Sequence, residues 1–293
     1  MVSDTLSYRG MDAAEIERQY NFRAMVPEHV GVIERWRTDS DRTRRRPGAL
    51  LDIPTGPHPR QRIDLFPTER GAADGKAPLL VFIHGGYWRG LSKEVFSFLA
   101  DPFTARGASV ALVGYGLCPE VSFDTLIDHV RGGVAWLAAN GAAHGVDLGR
   151  IVLSGHSAGG HLTALLASEP DNGLAGGLCL SGIYDLEAML PFSVNEALKL
   201  DRDQARRLSP LNRVPNGAAP PLTLALGGDE SPDMHRQQAD YAAAWAKRGH
   251  AVRALAEAGT NHFTVVDRLA DPSSALFAEA LALLGLAPHN SDN

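Results

Sequence analysis

The pattern of hydrophobic positions becomes regular after about residue 76. From there, short continuous apolar runs alternate with segments in which apolar residues recur every three or four positions. The runs are APLLVFI (77–83), ASVALV (108–113), RIVL (150–153), GGLCL (176–180) and PPLTLAL (220–226), and HAVRALA (250–256) is the last predicted strand. Strands that are apolar throughout and alternate with helices are typical of a parallel sheet covered on both faces. The pattern therefore predicts an α/β fold with a mostly parallel central sheet.

The segment before these runs follows a different pattern. Residues 11–38 carry apolar side chains at helical spacing, and the predicted inward positions are Ile16, Tyr20, Val30, Ile33 and Trp36. ALLDI (49–53) and RIDLF (62–66) are typical of two short strands, because the stretch between them is rich in glycine and proline. We therefore expect a helix followed by a hairpin at one edge of the sheet.

These patterns predict one domain over residues 1–293. Its helical lead covers 1–48, and a polar insertion at 187–219 interrupts the regular alternation. Long insertions after the end of a strand commonly form lids or walls of a functional site. We therefore expect 187–219 to form a small helical cap, and the sequence leaves open whether that cap moves.

Composition narrows the class of protein. A formal net charge of −6 and a pI near 6.0 argue against a nucleic-acid-binding protein, whose surface is usually basic. No apolar run approaches the ~20 residues of a membrane span, and the first residues lack the pattern of a secretory signal. Two cysteines, Cys118 and Cys179, are too few for a disulfide framework. We expect a cytoplasmic protein whose partner is a small molecule; a homodimer is left open.

One short motif points to chemistry. Gly155-His156-Ser157-Ala158-Gly159 reads G-x-S-x-G and stands between a predicted strand and a predicted helix, which is the context that this motif requires. A tight turn there lifts the serine hydroxyl out of the end of the sheet. The structural alternative is a glycine-rich turn that needs only a small residue, so the motif becomes specific only if partners for the serine exist.

Backbone donors for an oxyanion are the first of these partners. IHGGYW (83–88) follows the first long strand, and the N–H groups of Gly85 and Gly86 could face a carbonyl oxygen because neither residue has a Cβ. Ala158, directly after the serine, would supply a third N–H. Tyr87 and Trp88 either stack on an aromatic leaving group or pack the loop against the domain.

The other two partners of Ser157 are a base that accepts its proton and an acid that orients this base, and both are expected in loops after the later strands. Of eleven histidines, His262 lies in a loop directly after the last strand, and sites form at the carboxyl ends of parallel strands. The preceding strand ends in Gly-Gly-Asp-Glu, which offers Asp229 and Glu230 as the acid. Glu230 is favoured, Asp229 remains its rival, and Asp185 is a third candidate one strand earlier. Tyr184 and Asn195 are candidates to line the pocket from the insertion side.

Together these stretches resemble the α/β-hydrolase superfamily, in its hormone-sensitive-lipase-like branch with an HGG oxyanion loop. The closer likeness is to the kynurenine formamidase (arylformamidase) group. It covers most of the chain and rests on ERQYNFRAMVPEH (17–29), RQRIDLFP (60–67), HGGYW (84–88), GHSAGGHL (155–162), SGIYDL (181–186), VNEALKLD (194–201), ESPDMHRQ (230–237) and NHF (261–263). The resemblance implies that the serine, histidine and acid of that group correspond to Ser157, His262 and Glu230. Members commonly carry aspartate at the acid, so this chain departs by one methylene, which leaves Asp229 in contention.

The resemblance implies a serine hydrolase that cleaves an aryl formamide, with N-formyl-L-kynurenine as the expected substrate. Two alternatives within the same chemistry are a small-acyl carboxylesterase and another amidase. A ligand-binding protein on a disabled hydrolase scaffold is a more distant alternative, and both Ser157 and His262 are present in this chain. We expect neither a cofactor nor a metal, because no histidine spacing suits zinc and no H-E-x-x-H occurs.

Overall fold

The computed structural model describes residues 7–68 and 75–286. Its strands are β1 (Leu50–Pro54), β2 (Arg62–Phe66), β3 (Ala77–Ile83), β4 (Ser109–Val113), β5 (Val146–His156), β6 (Gly176–Leu180), β7 (Leu222–Gly227) and β8 (Val252–Glu257). They form one eight-stranded sheet in the order β1-β2-β4-β3-β5-β6-β7-β8. The direction of the order changes between the neighbouring strands β3 and β5. The connection that leaves β3 leads to β4 on one side, and the connection that leaves β5 leads to β6 on the other.

Strands β3 to β8 pair with one another in parallel, whereas β1 pairs antiparallel with β2 and β2 pairs antiparallel with β4. At the centre, Val81 of β3 lies opposite Ala111 of β4 and Leu153 of β5. Every residue of β3, β4, β6 and β7 is buried, as expected for strands covered on both faces. The predicted fold class and the hairpin at the sheet edge are both confirmed.

The described α-helices are α1 (Ala13–Tyr20), α2 (Phe22–Met25), α3 (His29–Arg44), α4 (Ala100–Thr104), α5 (Phe123–Asn140), α6 (Ala158–Ala167), α7 (Asn195–Leu198), α8 (Arg202–Leu208), α9 (Pro232–Lys247), α10 (Val265–Ala270) and α11 (Ala275–Leu283). Short 3₁₀ turns cover Lys93–Leu99, Gly141–His144, Leu186–Met189 and Pro210–Asn212. Across the described ranges, no helix has the length and hydropathy that a membrane crossing requires.

The single helix predicted over residues 11–38 is wrong in detail. The chain breaks after α1 at Asn21, whose side chain accepts a hydrogen bond from the N–H of Ala24 and so begins α2. Pro27 follows the end of α2, and α3 then runs as far as Arg44. One side-chain cap and one proline therefore divide the lead into three helices, and the divided lead folds against the carboxyl end of the parallel strands. Residues 1–6 of the predicted lead lie outside the described residues.

The 187–219 segment consists of short helices that pack onto the domain. Its backbone accepts a hydrogen bond from the buried His161 on α6, through the carbonyl of Leu208 at 2.9 Å. Its Phe192 ring lies 6.4 Å from the ring of Tyr20 and 5.7 Å from that of Tyr87, centroid to centroid. The segment therefore contacts both the lead and the loop after β3.

Candidate active site

The turn between β5 and α6 holds Ser157 in a strained conformation. Its φ is 57° and its ψ is −115°, a combination that a residue with a side chain rarely adopts. The flanking glycines are required sterically: a Cβ on Gly155 would lie 2.4 Å from the carbonyl oxygen of Gly159, and one on Gly159 would lie 2.0 Å from that of Ile83. The turn therefore closes only with glycine on both sides, and it leaves the serine at the N-terminus of a helix, where developing negative charge is stabilised.

His262 and Glu230 form a buried pair at the same edge of the sheet. His262 Nδ1 lies 2.7 Å from Glu230 Oε2, and the two side chains are 5% and 1% exposed. The other carboxylate oxygen accepts hydrogen bonds from the N–H of Gly227, at 2.8 Å, and from the hydroxyl of Ser181. A carboxylate only accepts, so Nδ1 carries the proton and Nε2 keeps its lone pair. The imidazole is thus in the tautomer that a general base requires.

The structure brings Glu230, and neither rival acid, to His262. The side chain of Asp229 is exposed, while its backbone N–H donates to the carbonyl of Thr260. Asp185 accepts a hydrogen bond from the hydroxyl of Tyr8 at 2.8 Å and caps the following 3₁₀ turn. Geometry therefore selects Glu230 as the partner of the histidine.

Two further rings enclose the imidazole of His262. The ring of Phe22, from the helical lead, stacks on it with 3.5 Å between centroids and 18° between planes. The ring of His156 lies 4.8 Å away, and its Nε2 donates to the backbone carbonyl of His262 at 2.7 Å. The residue next to the serine therefore ties the turn of the nucleophile directly to the loop of the base.

The loop after β3 approaches Ser157 closely. A Cβ on Gly85 would stand 2.7 Å from the carbonyl oxygen of His156 and 3.2 Å from the Cβ of Ser157. Gly86 has a φ of 113°, and a Cβ there would meet the carbonyl oxygen of Gly90 at 2.2 Å. Ala158 is the first residue of α6, and the first N–H groups of a helix have no partner within it. Gly85 and Ala158 thus adjoin the serine and Gly86 lines the cavity with it, and the role of the three residues in binding an oxyanion stays a prediction.

Buried histidines around the site are held neutral. Burial lowers the pKa of His84 to about 4, and its Nδ1 lies 2.8 Å from the carbonyl oxygen of Gly85. Burial, together with the neighbouring His262, also holds the pKa of His156 well below its usual value. His84 therefore braces the oxyanion loop, in agreement with its position before the two glycines, and neither ring adds charge to the site.

Ser157 and His262 line one small cavity of about 20 Å³. Its other lining residues are Arg23, Ile33, Trp36, Gly86, Tyr87, Leu91, His156 and Phe263. Tyr87 therefore lies at the cavity, and its contact with a substrate stays a prediction. Its hydroxyl donates to the carbonyl of Tyr20 at 2.6 Å and accepts from the N–H of Phe22 at 3.0 Å. Tyr87 thereby fastens the lead to the oxyanion loop.

The three other residues predicted to bind substrate do not line this cavity. Trp88 is fully buried and donates from Nε1 to Nδ1 of His161 at 3.3 Å, so it packs the loop against the domain. Tyr184 is buried with its ring stacked on that of Tyr241, 4.6 Å between centroids. The side chain of Asn195 bonds to backbone groups of its own turn. All three have structural roles in place of the predicted contacts.

The helical lead forms a wall of the site that the hydrophobic pattern of the sequence did not indicate. Phe22, Arg23, Ile33 and Trp36 all lie at the cavity or against its histidine. Ile33 and Trp36 were predicted as inward positions, but apolar residues on a helix indicate a core before they indicate a substrate pocket. In the described ranges, no three His, Cys, Asp or Glu side chains are grouped closely enough to hold a metal ion.

A strained nucleophile turn, a histidine–carboxylate pair and a mostly parallel eight-stranded sheet together define a serine hydrolase of the α/β-hydrolase class. Comparison with known proteins agrees with this class. The model of the prolyl oligopeptidase family matches residues 124–278, and that of the BD-FAE family matches residues 64–182. The chain therefore belongs to the prolyl oligopeptidase family of α/β-hydrolases, in the group that is similar to kynurenine formamidases.

Relatives extend the likeness over nearly the whole chain. A kynurenine formamidase of Danio rerio is 29% identical over 95% of this chain and 98% of its own length. A protein of Silicibacter sp. TM1040, described as a candidate thioesterase, has a crystal structure with a TM-score of 0.78. It is 32% identical and covers 90% of this chain and 98% of its own. Esterase LipQ of Mycobacterium tuberculosis is 28% identical over 82% of this chain and 62% of its own length.

Proposed function

We propose that this hydrolase cleaves aryl formamides, with N-formyl-L-kynurenine as its substrate, through a covalent formyl-enzyme. The observation that carries the proposal is the end-to-end likeness to the kynurenine formamidase of Danio rerio, over 98% of that protein. The contacts around Ser157 and His262 support it, because they provide what acyl transfer from nitrogen needs.

In the first half-reaction, the hydroxyl oxygen of Ser157 attacks the formyl carbon while Nε2 of His262 accepts the hydroxyl proton. Glu230 then stabilises the imidazolium through Nδ1–H. The negative charge on the formyl oxygen is bound by the N–H groups of the oxyanion loop and of Ala158. When the tetrahedral intermediate collapses, the C–N bond breaks and His262 returns the proton to the aryl amine, which leaves.

The second half-reaction restores the enzyme. Water attacks the formyl ester of Ser157 and gives up a proton to His262. The ester bond then breaks, the serine oxygen regains its proton from the imidazolium, and formic acid leaves and ionises to formate in water. Nε2 of His262 accepts a proton and donates one in each half-reaction, so the cycle consumes only water and substrate. N–H donors that are already in position before the substrate binds stabilise the transition state most effectively. The loss of one such donor raises the activation free energy by roughly 3–4 kcal/mol.

The residues that line the cavity are mostly apolar, which suits an aromatic leaving group. Ile33, Trp36 and Phe263 are among them, and Leu91 stands next to Gly86 of the oxyanion loop. Tyr87 adds an aromatic ring, 5.8 Å from that of Phe22. Flat apolar surface of this kind contributes binding energy in proportion to the aromatic area that it removes from water.

The proposal is tested by comparing kcat/KM for N-formyl-L-kynurenine with that for 4-nitrophenyl acetate, on the wild type and on Ser157→Ala. We expect the formamide to be the better substrate even though its amide bond is intrinsically less reactive than the activated ester. Both activities should disappear in Ser157→Ala, which excludes a contaminating hydrolase. A ratio that strongly favours the ester would contradict the formamidase assignment.

A small-acyl carboxylesterase is the second candidate function. It is favoured by the 28% identity to esterase LipQ over 82% of the chain. The same residues would act, with an alkoxide leaving in place of an amine. Series of formyl, acetyl and butyryl esters and anilides separate the two candidates, because the esterase should accept longer acyl groups and the formamidase should not. One methylene changes such preferences by about 1–3 kcal/mol, which is easily measured.

A further inference from the structure

The cavity beside Ser157 carries one permanent charge on its wall. Among its lining residues within the described ranges, Arg23 is the only arginine, and neither lysine nor a carboxylate is present. The neighbouring His156 is held neutral by its burial. Glu230 lies behind the imidazole of His262, where its oxygens are already bonded to protein donors. A ligand in this cavity therefore meets a positive guanidinium with no fixed negative charge beside it.

The position of Arg23 is fixed by its neighbours in α2. Asn21 caps that helix through Ala24, and Phe22 is buried against the imidazole of His262. The guanidinium extends across the mouth of the cavity to the oxyanion loop. Its Nη2 lies 3.9 Å from the point where a Cβ on Gly90 would stand. The backbone of Arg23 is thus tied to the site by its neighbours, while its side chain is exposed beside the cavity.

Arg23 also lacks the partners that other arginines of the lead possess. Arg18 pairs with Glu15, and Arg35 forms a bidentate pair with Asp267. Arg23 has neither an ion pair nor a side-chain hydrogen bond to any residue that the structure describes. On the preceding helix, Glu17 is already engaged by the backbone N–H of Ser193 and by the side chain of Asn21. An unpaired guanidinium at the mouth of an apolar cavity is well suited to bind a carboxylate.

We propose that Arg23 binds an anionic group on the leaving portion of the substrate, so that the enzyme selects aryl amides or esters whose aromatic part carries a carboxylate. The inference rests on the proposed function only in assigning Ser157 as the nucleophile. It requires no particular acyl group and applies to formamides and esters alike. Arg23 contacts the substrate away from the reacting atoms, so its loss acts on substrate binding and leaves the chemical step intact.

Matched pairs of substrates test this proposal. Phenyl acetate is compared with its 3- and 4-carboxy derivatives, and formanilide with N-formyl-L-kynurenine, on the wild type, Arg23→Gln and Arg23→Lys. The control variant is Arg89→Gln, because Arg89 is also exposed and close in sequence to the oxyanion loop but does not line the cavity. The neutral substrate of each pair reports on folding and on the catalytic residues.

In Arg23→Gln we expect KM for the carboxylated substrates to rise about tenfold, equal to about 1.4 kcal/mol, with kcat and the neutral substrates unchanged within twofold. Arg23→Lys should recover part of the loss, because it keeps the charge without the planar fork. Arg89→Gln should change neither substrate of a pair. Added salt should narrow the difference between charged and neutral substrates in the wild type alone.

An equal loss on charged and neutral substrates would give Arg23 a structural role and overturn the proposal. An unchanged preference in Arg23→Gln, or no preference in the wild type, would overturn it as well. Failure of the formamidase function looks different, because neither formamide would then be cleaved while the ester pair still showed the Arg23-dependent preference. The two hypotheses are therefore refuted by separate results.

Discussion

Replacing Glu230 by glutamine tests the acid of the proposed triad Ser157, His262 and Glu230, because the sequence alone left Asp229 as its rival. One carboxylate oxygen of Glu230 accepts from the fixed N–H of Gly227, at 2.8 Å, and from the hydroxyl of Ser181. A glutamine must keep its carbonyl oxygen at this position, so its NH₂ group faces His262. An NH₂ group cannot accept the Nδ1–H bond, and the imidazole relieves the conflict by moving its proton to Nε2. The base then has no lone pair to offer Ser157.

The size of the effect follows from this change of tautomer. Corresponding replacements in other serine hydrolases lower kcat by about 10⁴-fold, which is about 5.4 kcal/mol of barrier. The folded state should lose little, because the bonds from Gly227 and Ser181 are retained. We therefore expect Glu230→Gln to lower kcat by roughly 10³- to 10⁴-fold with a melting temperature near that of the wild type.

Steady-state kinetics on 4-nitrophenyl acetate and on N-formyl-L-kynurenine measure this loss, and thermal denaturation monitors the fold. The matched control is Asp229→Asn, one residue earlier, whose exposed side chain contacts no part of the pair. It should retain the activity of the wild type. The reasoning is refuted if Glu230→Gln keeps more than about a tenth of the wild-type kcat, or if Asp229→Asn suffers the large loss in its place.

Three further predictions follow from the contacts around the site. Gly85→Ala puts a Cβ 2.7 Å from the carbonyl oxygen of His156, so the oxyanion loop must shift and kcat should fall roughly 10²-fold with KM nearly constant. His156→Leu breaks the bond to the carbonyl of His262 and should lower kcat about tenfold, whereas His161→Leu, which also loses a bond to a carbonyl, should lower only the melting temperature. Burial lowers the pKa of both His84 and His161 to about 4. Unfolding lets these two rings take up protons below pH 6.5, so the free energy of unfolding, measured in urea, should decrease as pH is lowered from 7 toward 4; a value independent of pH would contradict this.

Much of the fold is predictable because parallel strands are marked locally. Runs such as Ala77–Ile83 are buried on both faces, so they carry no polar residues, and the helices between them keep their own period. Ser157 and His262 are predictable for the same reason. Each directly follows a strand or stands in the loop after one, and the carboxyl ends of parallel strands meet at one edge of the sheet.

Single-residue choices in turns are harder to predict. Asp229 and Glu230 are both carboxylates at the end of β7, and which one turns inward depends on two backbone hydrogen bonds. The N–H of Asp229 donates to the carbonyl of Thr260, and that of Glu230 donates to the carbonyl of Gly227. The second bond tightens the turn and points the glutamate toward the imidazole. Composition does not encode this outcome.

Backbone conformation also determines where the side chains of Tyr87 and Trp88, which follow the oxyanion glycines, are placed. Tyr87 and Trp88 have positive φ values of 53° and 56°, which non-glycine residues rarely adopt. The loop therefore turns tightly at these two residues. Tyr87 lies at the cavity, and Trp88 lies in the core. The pocket wall from the helical lead depends likewise on long-range packing: Phe22 and His262 are 240 positions apart in sequence, and no local pattern relates them.

The most direct test of the account is covalent labelling by a fluorophosphonate probe, with the modified residue identified by peptide mass spectrometry. The central claim is that the Ser157 hydroxyl is made nucleophilic by His262. It predicts one adduct, on the peptide that contains Ser157, with a labelling rate that falls roughly 10³-fold or more in His262→Ala. An unlabelled protein, an adduct on another serine such as Ser154, or labelling that does not depend on His262 would contradict it.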